Sequence, residues 1–123
     1  MMISRKPGLK YVHRAEPDNY DYDQTTLIQD AVWHTLSLAA IIPASAKLVL
    51  LRVGAAHAST GRSFCISKVG ESNFYSCVNV VTQVADLANE QTALVDCSGQ
   101  QIQYRTTLGT FSSLRIVVLG WFV

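Results

Sequence analysis

The chain reads as all-β: an antiparallel β-sandwich of about seven or eight strands. Three observations predict this. Short apolar runs alternate with polar residues at a period of two, the rhythm of a half-buried strand. Turn signals separate these runs about every 8–12 residues, as in sandwiches and barrels. The run Leu114-Arg-Ile-Val-Val-Leu-Gly-Trp-Phe-Val123 is rich in β-branched and aromatic residues, which fit a pleated surface. It is expected to pair into a sheet, because an apolar frayed end would invite aggregation.

The elements follow in chain order. Arg5, Lys6, Lys10 and Arg14 precede Glu16, Asp18, Asp21, Asp23 and Asp30, so a basic stretch leads into an acidic one. Pro7-Gly8 and residues 16–19 are turn signals. Residues 1–30 are therefore expected to form an extended N-terminal arm with one short strand at residues 9–14. Such an arm could fold back on itself, pair with a neighbouring subunit or remain a solvated terminus. Residues 31–123 are expected to form the sandwich domain.

Val32, His34, Leu36 and Leu38 alternate with Trp33, Thr35 and Ser37. A turn around Pro43 leads into residues 47–56, apolar on both faces and so expected at the centre of a sheet. Residues 62–68 alternate again, and residues 70–73 are expected to close a hairpin. Residues 74–84 predict a long strand, and residues 92–97 a short one. Ile102 and Tyr104 point the same way along residues 100–106. Residues 112–123 close the domain. The one helix candidate, residues 82–89, has poor spacing.

Composition bounds the function. A chain of 123 residues suits one domain with a core of its own. The residues are 49% hydrophobic and only 15% charged, against about 25% charged in typical domains. So sparse a charge suggests that copies of the chain or a partner cover part of the surface. A formal net charge of +1 supplies no general field for nucleic acid. Cys65, Cys77 and Cys97 are odd in number and lack C-x-x-C spacing, which argues against a disulfide framework or a zinc ribbon. No secretory leader is expected, and the apolar runs are too short to span a bilayer as helices.

No catalytic residue, metal site or cofactor is assigned. His13, His34 and His57 fall on different elements, without metal-ligand spacing. Ser59, Ser63 and Cys65 lie near His57 in sequence, but strands and turns use Ser freely. Residues 54–63 lack the lysine, glycine spacing and following helix of a phosphate loop. Asp18, Asp21 and Asp23 could surround a hard cation, yet the glycine and distal glutamate of an EF-hand are missing. Two groups remain as contact candidates. Arg5, Lys6, Lys10, Tyr11, Arg14, Tyr20 and Tyr22 are candidate contacts to another subunit or a partner protein, since Tyr and Arg are favoured at interfaces. Trp33, Tyr75, Tyr104 and Trp121, with Asn73 and Gln103, are candidate ligand-facing groups if their rings are exposed together.

Five segments carry a resemblance: Trp33-His-Thr-Leu-Ser-Leu38, Ile42-Pro-Ala-Ser-Ala46, Val49-Leu-Leu-Arg-Val53, Ile102-Gln-Tyr104 and Ile116-Val-Val-Leu-Gly-Trp121. Over roughly residues 31–123 the sequence resembles the small β-sandwich accessory proteins of tailed-bacteriophage virions, found as head-decoration (cement) proteins and as tail or fibre modules. The resemblance implies a jelly-roll-like sandwich, a homo-oligomer (commonly a trimer) and a non-enzymatic structural role. It implies a virion location after synthesis in the host cytoplasm, and a major capsid protein or another virion protein as partner. No membrane is expected as a partner, and nucleic acid is not favoured. A single small domain suits head decoration better than a fibre. The alternative reading is a tail- or fibre-associated module that binds a receptor or carbohydrate.

Overall fold

The computed structural model describes residues 8–123. Arg5 and Lys6 lie outside the described residues. These form nine strands and no helix: β1 (Tyr11–His13), β2 (Tyr22–Asp23), β3 (His34–Ser37), β4 (Leu48–Ala56), β5 (Ser63–Ser67), β6 (Val78–Val81), β7 (Asn89–Asp96), β8 (Gln101–Thr106) and β9 (Ser113–Phe122). No helix among them is long and apolar enough to cross a membrane.

All pairings are antiparallel. Sheet A runs β1-β9-β4-β7, with β2 also on β9, and sheet B runs β3-β8-β5-β6. β1 and β2 occupy one edge in turn, so eight strand positions wind as the two Greek keys of a jelly roll. β4 is central, as its two apolar faces predict, between β9 and β7.

Alternation builds the core. Val49, Leu51, Val53 and Ala55 of β4 face inward with Leu114, Ile116 and Val118 of β9. Sheet B answers with Phe64, Ile66, Val80, Ile102 and Tyr104. Leu27, Leu38, Ile42 and Phe111 enter from the connecting segments. Leu50 pairs with Gly120 but Leu51 with Val118, so Leu119 is an extra residue on β9. This bulge turns Trp121 inward to pack on the core beside Val49.

Residues 8–30 are not a detached arm. β1 and β2 hydrogen-bond along β9, and Lys10 exchanges both backbone bonds with Val123 at 3.0 and 2.9 Å. Residues 14–21 loop out between the two strands. The Arg14 N–H reaches the Leu119 carbonyl at 3.1 Å and the Asp21 N–H reaches the Ile116 carbonyl at 2.9 Å. Across the break, the Asp21 carboxylate accepts the Val118 N–H at 2.8 Å. The Arg14 guanidinium donates to that carboxylate and to the Val118 carbonyl. An ion pair thus stands where ladder bonds are missing and meets both the N–H and the carbonyl of Val118.

Three local readings differ from the structure, the first being the short strand expected at residues 92–97, which is the eight-residue β7 beginning at Asn89. Residues 74–84 hold only the four-residue β6, because residues 68–77 fold back across sheet B. The helix candidate at residues 82–89 is a loop leading into β7. Asp86 takes a left-handed φ of 62° and its N–H donates to the His57 carbonyl at 2.8 Å. That conformation is incompatible with a helix interior.

Candidate functional site

The two outer sheet faces carry the candidate contact groups. Register places side chains on sheet A in rows. Tyr11, Phe122 and Leu48 stand side by side, and Gly120, Leu50 and Leu94 form the next row. Leu94 is 52% exposed on β7. The Tyr11 ring lies over Gly120, where any Cβ would collide with it. It also packs on Phe122 at 5.2 Å between centroids. Half-buried Leu119, lifted by the bulge, borders the same patch.

The other end of this face is charged. Arg52 donates to Glu90 Oε2, with its Nε at 2.9 Å, while Arg115 donates to Glu90 Oε1 at 2.5 Å. Arg115 also lies over the Tyr20 ring, 5.1 Å from its centroid. Partial burial pushes the Glu90 carboxyl upward. Hydrogen bonds and charge from the two arginines outweigh that and hold its pKa below the usual carboxylate range.

The arm candidates therefore have local partners. Arg14 is paired with Asp21, and the Tyr22 hydroxyl donates to the Ser37 carbonyl at 2.7 Å while its ring packs on the core. Lys10, Tyr11 and Tyr20 keep exposed side chains. Asp21 and Asp23 do not form a cation cage. Asp23 accepts from Thr25, which lowers its pKa, and no group of three potential metal ligands assembles among the described residues.

The aromatic candidates do not converge. Tyr104 is a core residue at 3% exposure, and its hydroxyl accepts the Ile28 N–H at 2.9 Å. Trp121 is on the other sheet, against the core. Both are corrected as ligand-facing groups: each shares the inward face of its strand with apolar neighbours. Tyr75 is 97% exposed in the β5–β6 connection. Asn73 accepts the Tyr75 N–H at 3.2 Å and Gln103 is buried.

Sheet B instead holds a cavity of about 440 Å³ on its outer face, beside Ser63, Phe74, Asn79, Arg105, Thr107 and Leu108. Gln103 anchors the loop above. It donates to Ser67 Oγ at 2.9 Å and the Glu71 carbonyl at 2.7 Å, and accepts the Gly70 N–H at 3.3 Å. This brings Phe74 between Trp33, stacked at 5.7 Å, and the Arg105 guanidinium at 5.0 Å. The alternation that turns Ile102 and Tyr104 inward turns Gln101, Gln103 and Arg105 outward, a signal available in the sequence. Phe74 had none, because the long loop that carries it read as strand.

Cys65 also lines this cavity, and its thiol donates to Asn79 Oδ1 at 3.3 Å. Burial, then the nearby Cys77 thiol, pushes its pKa up to about 12. Both the burial and the raised pKa disfavour the reactive thiolate. His57 is buried, its Nδ1 accepts the Ser59 N–H at 2.9 Å, and its other nitrogen has no partner among the described residues. No serine or cysteine side chain pairs with it there.

Compared with protein-family models, curated proteins and solved structures, the chain matches none of them.

Proposed function

We propose that the chain is a non-enzymatic structural protein of a bacteriophage virion, a decoration or cement protein that associates as a homotrimer and binds the capsid. The observation that carries this reading is the apolar patch on the outer face of sheet A. Leu94 and Tyr11 are exposed there, flanked by Leu48, Leu50, Leu119 and Phe122. Apolar side chains on an outer sheet face, bordered by an arginine-rich polar end, fit the anatomy of a protein contact. The second copy of the chain is the occupant this reading assigns to the patch. The sparse charge of the sequence and the jelly-roll architecture accord with it, as does the resemblance to accessory virion proteins.

The described part of the arm serves this reading differently from a clamp. Pinned along β9, it widens sheet A and adds Tyr11 to the patch. The test is gradient centrifugation of particles from cells that produce the chain, with wild type and Leu94→Lys in parallel. Wild type is expected to sediment with assembled capsids, and the variant to remain at the top of the gradient although folded. Wild-type protein absent from the particle fractions overturns the reading.

A further inference from the structure

We propose that the cavity on the outer face of sheet B is a binding site for an acidic sugar, a monosaccharide-sized ligand bearing one carboxylate. It lies on the opposite outer face from the assembly patch and does not depend on it.

Among the described residues no carboxylate pairs with Arg105 or Arg62; the ion pairs use Arg14, Arg52, Arg115, Lys68 and His34 instead. Arg105 lines the cavity half-buried, its guanidinium fixed by the Phe74 ring at 5.0 Å. Among the described residues no hydrogen bond or ion pair uses its N–H groups, and a guanidinium so placed can recognise a carboxylate through two parallel bonds. Arg62 stands behind the rim, donating to the Leu108 carbonyl at 3.3 Å. No acidic residue lines the cavity.

The other polar groups suit hydroxyls. Asn79 Oδ1 already accepts the Cys65 thiol, so its amide nitrogen remains available to donate. Thr107 Oγ1 accepts the Ser63 N–H at 3.1 Å and keeps its own proton to give. The Ser63 hydroxyl lines the same wall. Leu108 and Ala31 supply an apolar side for the carbon skeleton. A volume of about 440 Å³ accommodates a small organic ligand. A cation, several hydroxyl-directed groups and one apolar wall together select an acidic sugar over a bare anion or a neutral sugar.

The test is a titration of the ¹⁵N-labelled full chain, followed by amide shifts, with D-glucuronate, D-glucose, acetate and inorganic phosphate as separate probes. Glucuronate is expected to move the amides of Ser63, Asn79, Arg105 and Thr107 with millimolar or tighter affinity, at least about tenfold tighter than the other three. Arg105→Gln is expected to weaken glucuronate binding at least about tenfold with its spectrum otherwise folded. Thr92→Ala, exposed on the other sheet, is expected to leave it unchanged. Four results overturn the proposal: no shift with glucuronate, shifts elsewhere on the chain, equal binding by acetate or phosphate, or binding indifferent to Arg105→Gln. Should Arg105→Gln fail to fold, Thr107→Val takes its place, with the same expected loss.

Discussion

Glu90 crosses directly over Gly54. A Cβ on Gly54 would stand 2.7 Å from Glu90 Cγ, a distance real Cβ atoms do not show. The missing side chain in β4 is what lets Glu90, on the neighbouring strand, lie flat and reach both Arg52 and Arg115. Gly54→Ala should therefore destabilise the protein by about 1–3 kcal/mol, the usual cost of overpacking. Truncating Glu90 to Ala in the same chain should remove most of that cost, because the colliding atom goes with it. Denaturant melts of the two single variants and the double variant measure the coupling.

The same carboxylate gives a pH dependence. The folded pKa of Glu90 lies below its ordinary value of 4.5, so the unfolded chain binds the proton more readily. Its contribution is fully present above that ordinary value and fades as pH falls through the lower folded one. Asp23 and Asp96 act in the same direction, through hydrogen bonds from Thr25 and Ser98. Acid should thus destabilise the wild type. Glu90→Gln should be less stable by about 1 kcal/mol at pH 7 and show a shallower acid limb. Thermal melts between pH 3 and pH 7, a range spanning the ordinary carboxylate values, read both effects.

Asp21 tests the interrupted edge. Its carboxylate holds Arg14 and the Val118 N–H where the strand breaks. Asp21→Ala removes two charge-assisted bonds and should cost about 2 kcal/mol. Hydrogen exchange should accelerate at Val118 before it does in β4.

The thiols should differ in reactivity. Burial raises Cys97 to about 11, while burial and the neighbouring Cys77 raise Cys65 to about 12. At pH 8 an alkylating reagent should label half-exposed Cys77 first. Cys65 and Cys97 should react only once the chain unfolds. Peptide mapping by mass spectrometry distinguishes the three.

How much of this was legible in the sequence follows from the range of each interaction. β4, β5, β8 and β9 were readable because their alternation is local and one face is buried, which fixes the register. The β5–β6 connection was not, since Phe74 and Tyr75 have strand propensity. What draws them out is Gln103, roughly thirty residues away, bonded to Gly70 and Glu71. Tyr104 and Trp121 were correctly placed in strands, but exposure depends on which face is inward and, for Trp121, on the bulge at Leu119. The charge run of the first thirty residues was plain. That Arg14 and Asp21 would spend their charges on each other across a loop was not. The cavity beside Arg105 exists only because the long loop folds back over sheet B.

In the proposed assembly the outer face of sheet A is buried against a second copy of this chain. Light scattering on a sizing column, across a tenfold range of protein concentration, measures that most directly. A trimer requires a mass of three chains of 13.5 kDa each for wild type, and Leu94→Lys is expected to give a single chain with an unchanged β-sheet spectrum. A wild-type protein that elutes as a monomer throughout the range would contradict it.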